Sequence, residues 1–371
     1  MEHADFLIIG GGIAGLSAAA RLAAHGRVIV IEAEEALGYH SSGRSVSFSH
    51  YGIGNAAVRA MTAHSRAFFE APPEGFSDVA VARTFASLYF ADEGALPALE
   101  ALQADMAAFT DVMRLVDRQD MLKLCPVLKA PVSGLFDPTG LKLDADALLQ
   151  GFARQVRARG GAILTARPAS TIERRGADWV VNQAFSAPIL VNAAGAWGDA
   201  VAALAGVAPL GLAPKRRTII AVDPPAGMEI AAWPFTHSVA GDFYMLPEAG
   251  RILVSPVDEV EDSPCDAQPE DYDLALAADR LEHYTSLRVG RIAHRWAGLR
   301  TFAADGTPTA GFAPDAPGFF WLAGQGGYGL QTAPAMAQAV EALIMGSAWP
   351  LPDVPPEQIR PERLIIAAHI C

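Results

Sequence analysis

The stretch Phe6-Leu7-Ile8-Ile9-Gly10-Gly11-Gly12-Ile13-Ala14-Gly15 runs from an apolar strand pattern into a glycine turn, and an alanine-rich helix pattern follows. A second strand pattern, Arg27-Val28-Ile29-Val30-Ile31, ends in Glu32. Strand, glycines, helix, strand and acid in this order form a dinucleotide-binding fingerprint. The acid falls about twenty positions beyond the glycines, where a ribose hydroxyl needs it. Each glycine has its own physical reason. Gly10 lets the chain turn tightly off the strand, Gly12 removes a side chain that would block a pyrophosphate, and Gly15 lets the helix press against the sheet. The first free N–H groups of the helix, and its dipole, then face the phosphates.

Composition narrows the rest. A length of 371 residues predicts about two domains with an ample core. Hydrophobic residues make up 51% and charged residues 19%, which is a globular composition. The net charge of −13 repels phosphate backbones, so nucleic acid is not an expected partner. Cys125, Cys265 and Cys371 are far apart and lack metal-ligand spacing; they read as free thiols in a reducing compartment, with no metal site. Phe6 to Ala24 is apolar enough to pass for a membrane span or a signal peptide. It lacks a basic start and carries the glycine fingerprint, so a buried strand–helix–strand unit explains it better, and a cytoplasmic protein without a transmembrane segment is expected.

Beyond Glu32 the pattern predicts a polar loop from Gly38 to Ser45, a helix from Asn55 to about Glu70, and a break at Pro72-Pro73-Glu74-Gly75. Short strands near Ser87 to Phe90 and a helix near Gly94 to Phe109 come next. A helix from Asp144 to Ala158 is capped by Asp144 and stopped at Gly160-Gly161. Strands are expected near Ala162 to Thr165, Trp179 to Val181 and Ile189 to Val191. Pro214 to about Val257 is β-rich, a helix spans about Tyr272 to Leu287, and the strand Phe319 to Leu322 enters Ala323-Gly324-Gln325-Gly326-Gly327-Tyr328-Gly329 before a last helix, about Leu330 to Met345. The layout predicts two interleaved domains, with a nucleotide domain over 1–75, 140–210 and 295–371 and a substrate domain over 76–139 and 211–294. A site between them suits a ligand that must meet the cofactor.

The glycine loop at 324–329 repeats the strand–glycine–helix logic. A plain strand-to-helix turn is one reading. The other is a cofactor with two parts that each need a positive helix end, which favours FAD over NAD: a reduced flavin gains negative charge at its pyrimidine edge, and a reduced nicotinamide gains none.

At this point the chain resembles the D-amino-acid oxidase superfamily of FAD-dependent amine and amino-acid oxidoreductases, and within it the bacterial D-arginine dehydrogenases. The likeness is carried by Tyr39-His40-Ser41-Ser42-Gly43-Arg44-Ser45, Val191-Asn192-Ala193-Ala194-Gly195-Ala196-Trp197, Pro214-Lys215-Arg216-Arg217, Trp296-Ala297-Gly298-Leu299-Arg300 with Ala304-Asp305-Gly306, and Gln325-Gly326-Gly327-Tyr328-Gly329. The resemblance implies an α/β fold with a β-rich part, in which a Rossmann-like FAD-binding domain interleaves with a mixed-sheet substrate domain. It implies FAD contacts from Gly10, Gly12, Ala14, Gly15, Glu32 and Ala33. Further contacts would come from the loop Ser41 to Phe48 (Ser41, Ser42, Gly43, Arg44 and Ser45 above all), Ala169, Ala194, Gly195, and Gly326, Gly327, Tyr328, Gly329, Leu330 and Gln331. Relatives with covalent flavin use a cysteine in the segment around Arg300; the sequence has none there, so FAD is expected to be non-covalent.

For the substrate, the resemblance implies a carboxylate clamp of Arg300, Tyr244 and Arg217. Arginine suits that role because its planar fork meets a carboxylate with two parallel hydrogen bonds. Arg216 is adjacent, and strand alternation sends only one of the pair inward. Where the D-arginine enzymes pair a cationic side chain with glutamate, this sequence has Phe85; a pocket histidine becomes Phe48 and a lid tyrosine becomes Ile53, with Gly327 completing the pocket. Loss of the carboxylate disfavours a buried guanidinium by several kcal/mol. The expected reaction is oxidation of a D-amino acid with a neutral or apolar side chain by hydride transfer from Cα to the flavin N5, giving an imino acid that hydrolyses to a 2-oxo acid and ammonia. An unidentified acceptor takes the electrons. The alternative is an oxidase of glycine, sarcosine or N-substituted amino acids that makes peroxide; the four lysines, at 123, 129, 142 and 215, lie outside the strand region where such oxidases place one above the flavin. A flavin-binding subunit without catalysis, or an NAD enzyme, remains a further alternative. His50 reads either as an exposed loop histidine or as a residue that takes or orients the amine proton, with Gly52 and Gly54 allowing a lid.

Overall fold

A computed structural model describes residues 1–364. Cys371 lies outside the described residues. The fingerprint strand Phe6–Ile9 sits inside a six-stranded sheet. Its order is Ala162–Leu164, Val28–Ile31, Phe6–Ile9, Ile189–Asn192, Phe319–Ala323 and Thr309–Phe312, parallel throughout except for the last. Residues 6–9 and 28–31 are buried at every position, as continuous apolar runs covered on both faces must be. Helices Ile13–Leu22, Ala145–Ala158 and Gly329–Met345 pack together on one side, with Leu16, Leu148, Phe152 and Met336 in the shared core. Among the described residues no helix is long and apolar enough to cross a membrane.

A second, ten-stranded mixed sheet carries the long antiparallel pair Ala213–Val222 and Ile292–Phe302, followed outward by Arg251–Ser255, Tyr244–Glu248, Phe235–Ser238, Ser87–Ala91, Ser133–Asp137 and Arg114–Asp117. Its outer face is covered by the helix Asp271–Tyr284, through Leu274, Ala277 and Leu281. That helix ends three residues before the expected Leu287, where Thr285 turns to extended backbone.

Local signals behave as their chemistry demands. Asn55 caps Ala56–Glu70 by accepting from the Val58 N–H at 3.1 Å, and Asp144 caps its helix by accepting from Ala147 at 2.9 Å. Gly10 has φ 114°, a conformation closed to side chains, and a Cβ on Gly15 would stand 2.0 Å from the Gly10 carbonyl oxygen.

Candidate active site

The inner face of the large sheet and the edge of the six-stranded sheet enclose a cavity of about 620 Å³. At one end lie Gly12, Ile13 and Ala14 with the loop residues Ser41, Ser42, Arg44 and Ser45, then Ala193 and Gly195; the backbone from Gly324 to Gln331 continues the wall. Both glycine loops and both helix N-termini therefore open into one space. A Cβ on Gly12 would meet only the Ser42 hydroxyl at 3.3 Å, and one on Gly195 would meet nothing within 4 Å, so the backbone is bare where a dinucleotide must lie close. The residues present fit FAD.

Several expected cofactor residues shape this end from behind. Glu32 does not line the cavity: its carboxylate accepts from Gly11 N–H at 2.6 Å and from Glu34 N–H at 2.9 Å, fixing the turn while keeping lone pairs for a further donor. Gly10 and Gly15 set the strand–helix approach, while Ala33, Gly43, Ala169 and Ala194 lie off the wall, Ala169 and Ala194 packed against the core on the far side of the sheet. Arg44 reaches the wall, but its guanidinium is spent on the carbonyls of Ala267 and Ala297 and on Asp266, tying the loop to the large sheet. Ser42 Oγ accepts from the Ile13 N–H at 3.0 Å, holding one of the free helix donors.

At the other end, strand register builds the cationic patch. Lys215 pairs with Arg300 and Arg217 with Gly298 across the antiparallel ladder, so these four share one face. Arg217 and Arg300 line the cavity together with Tyr244. Arg216 goes to the opposite face, where it is buried against Asp273 at 3.1 Å, Asp262 at 3.0 Å and Glu270 at 2.9 Å. Gly327 makes room for the clamp: a Cβ there would stand 1.8 Å from Arg300 Nη2. Burial, and next the Arg217 charge alongside, pulls Arg300 down to about 10, which leaves it cationic at neutral pH.

The remaining wall is aromatic. Phe48 and Phe235 meet edge to face at 4.5 Å, beside Ile219, Tyr244 and Ile53. Phe85 sits one layer back, against Phe48 at 5.6 Å, rather than on the wall. His50, Tyr89 and His237 form a polar cluster in that wall. His50 Nδ1 bonds the Tyr89 hydroxyl, and the rings of Tyr89 and His237 stack at 4.8 Å.

His50 corrects the expectation of an exposed loop histidine with an ordinary titration: it is buried, and burial, then the Arg59 charge, pushes it down to about 3. His237 is also held well below its usual value by burial and then by His50. Nor is the segment after His50 a loose lid. Tyr51 is buried and stacks on Phe109 at 5.8 Å, and a side chain at 52 would collide with Tyr89. Glu259, His237, Tyr89 and Phe235 are cavity residues that the sequence reading did not single out. The alternation of Phe235 and His237 in a β-rich stretch was a usable signal; Glu259, in an irregular connection, had none.

Cys125 is buried, which pushes its thiol up to about 12. Cys265, distant from Arg300 in sequence, packs near Leu299 in space, yet neither Cys125 nor Cys265 lines the cavity.

The sequence pattern of the FAD-dependent oxidoreductases of the DAO family matches residues 5–343. The chain belongs to that family, and FAD is its cofactor. It is similar to the FAD-dependent oxidoreductase domain-containing protein 1 of Xenopus laevis, 28% identical over 188 residues, 45% of this chain and 37% of that protein. It is also similar to the tRNA 5-methylaminomethyl-2-thiouridine biosynthesis bifunctional protein MnmC of Burkholderia multivorans, 27% identical over an alignment of 421 positions that takes in 98% of this chain and 59% of that protein. The chain thus spans well under two thirds of the length of these relatives. Among solved structures, L-α-glycerophosphate oxidase from Mycoplasma pneumoniae, with FAD bound, superposes with a TM-score of 0.84 at 21% identity, covering 94% of this chain and 98% of that one. L-proline dehydrogenase from P. horikoshii gives 0.82 at 20%, covering 99% of each, and glycine oxidase from Geobacillus kaustophilus gives 0.81 at 19%, covering 95% and 98%. At these identities the shared property is the fold.

Proposed function

We propose that this protein oxidises an amino acid, of D configuration and with a neutral or apolar side chain, to the imino acid that water converts to a 2-oxo acid and ammonia. The observation that carries this reading is the placement of Arg217, Arg300 and Tyr244 on one sheet face, at the cavity end that the second glycine loop also lines. Bound FAD supplies the two-electron acceptor for the substrate C–H bond. The chain's own residues do the positioning. Arg300 and Arg217 grip the carboxylate, Tyr244 offers a hydroxyl beside them, and the aromatic wall of Phe48 and Phe235 keeps water from the reacting carbon.

Charge decides the side chain. Of the two carboxylates lining the cavity, Asp105 is ion-paired with Arg59 at 2.8 Å, and Glu259 belongs to the clamp end, 3.1 Å from Arg217 and from Arg300, where the substrate carboxylate rather than its side chain is held. His50 and His237 are uncharged at neutral pH and offer hydrogen bonds without a countercharge. A guanidinium or ammonium side chain would be desolvated there without compensation. D-Leucine, D-phenylalanine and D-methionine are therefore expected to outperform D-arginine and D-lysine, and a steady-state survey with the opposite order would sink the assignment.

The test of the reaction is anaerobic mixing of the holoenzyme with D-amino, L-amino and N-methyl amino acids while the flavin band is watched. Bleaching by the neutral D-amino acids supports the reading; bleaching by glycine or sarcosine alone, with peroxide released in air, replaces it with the oxidase alternative. A net charge of −13 argues against the tRNA substrate named for the Burkholderia relative.

The buried histidine gives a separate prediction. Because burial holds His50 down at about 3, its imidazole is uncharged at neutral pH, and a kcat/KM limb between about pH 5 and 8 belongs to the substrate amine or another group. His50→Gln should lower kcat/KM through the lost Tyr89 contact and leave the apparent pKa of that limb in place. A limb that vanishes in the variant would assign it to His50 after all.

A further inference from the structure

One carboxylate already occupies the cationic end of the cavity. Glu259 Oε1 accepts from Arg217 Nη2 and from Arg300 Nη1, both at 3.1 Å, and Lys215 Nζ lies 3.8 Å from its other oxygen. A ligand carboxylate cannot engage both forks while that oxygen sits between them.

The surroundings show which part of Glu259 can yield. Its backbone is pinned on both sides. The buried carboxylate of Asp258 accepts from the Thr218 N–H at 2.8 and 3.0 Å, and the Asp258 carbonyl accepts from Arg217 Nε at 2.9 Å. From Val260 onward the chain pairs with Arg216 and Lys215. Just before the anchor, Val257 holds a φ of 56°, which a β-branched residue adopts only where its surroundings dictate it. The side chain of Glu259 is different: it is 44% exposed and turns about three single bonds, so it can swing into water without moving the strand.

We propose that Glu259 is an internal stand-in for the substrate carboxylate. It holds Arg217 and Arg300 together while the site is empty, shielding each from the other's charge, and it gives way when a ligand carboxylate takes both forks. Glu259 thereby sets specificity: an amine without a carboxylate has nothing to displace it with, whereas an amino acid does. The inference rests on the carboxylate-clamp reading above. It requires that the intrinsic affinity of the clamp be masked by the fraction of molecules in which Glu259 occupies it.

The experiment titrates the FAD-loaded protein with 3-methylbutanoate, a carboxylate with no oxidisable amine, and follows the perturbation of the flavin absorbance. Wild type, Glu259→Gln, Glu259→Ala and Arg300→Leu are compared. Both Glu259 variants should bind the probe about fivefold or more tighter than wild type, and Arg300→Leu should bind it more weakly. Affinity unchanged or weakened in the Glu259 variants, with Arg300→Leu still impaired, would make Glu259 a brace and overturn the proposal while the clamp stands. Absence of saturable binding in every form would remove the clamp and the proposal together.

Discussion

Arg300→Leu keeps its yellow FAD and loses about 10²- to 10⁴-fold in kcat/KM toward its amino-acid substrate, a cost of about 3–5 kcal/mol. The magnitude follows from what the variant leaves behind. The substrate carboxylate must still be desolvated against an aromatic wall, and one of its two forked partners is gone. Arg217 remains, but it is already committed through Nε to the Asp258 carbonyl and through Nη2 to Glu259. The loss should fall on KM and kcat together, because an amino acid held by one arginine no longer presents its Cα in a fixed place. Arg300→Lys should recover only part of it, since an ammonium restores charge without the planar fork. The flavin spectrum separates this from misfolding. A variant that retains kcat/KM within about threefold would show that the carboxylate binds elsewhere.

Gly15→Ala and Gly12→Ala should part company. At Gly15 a Cβ would stand 2.0 Å from the Gly10 carbonyl oxygen, and backbone cannot swing aside as a side-chain tip can. The helix Ile13–Leu22 must retreat from the strand, opening a core that holds Leu16 and Ile8, with an overpacking cost of about 1–3 kcal/mol or more. Gly15→Ala should therefore purify without flavin and melt a few degrees below the wild-type apoprotein, about 2 °C or less for each kcal/mol lost in a chain of this length. At Gly12 the added methyl meets only Ser42 Oγ at 3.3 Å. Gly12→Ala should melt with the wild-type apoprotein yet bind FAD far more weakly, because the methyl stands where the pyrophosphate must come close. Equal melting of both apoproteins, or unaltered FAD affinity in Gly12→Ala, would contradict the roles given to these positions.

Much of this was legible in the chain because it rests on short-range rules. The fingerprint, the helix start at Asn55, the Asp144 cap and the buried apolar strands each depend on neighbours a few residues away, and they formed where the pattern put them. The split between Arg216 and Arg217 was also foreseeable as alternation, though not which of the two faces the cavity. That was settled by acids distant in sequence, Asp262, Glu270 and Asp273, which gather on the outer face and claim Arg216. The features that escaped depend on packing across the chain. Burial of His50 needs Tyr89 and Phe235 around it, and the retreat of Phe85 behind Phe48 needs the exact lie of the three-stranded sheet formed by residues 48–49, 82–84 and 141–143. Glu259 sits in a connection with no periodicity, so only the folded register brings it over the arginines.

The antiparallel ladder that sets Lys215 against Arg300 and Arg217 against Gly298 has a practical corollary for retargeting this scaffold. Both guanidinia are spaced by hydrogen-bonded backbone, with Arg216 clamped from behind, so grafting connecting segments cannot shift them apart to suit a bulkier acid group. Redesign belongs instead on the facing aromatic and imidazole side of the chamber, where Phe48, Phe235 and His237 can be exchanged one at a time while the anchoring end stays as it is.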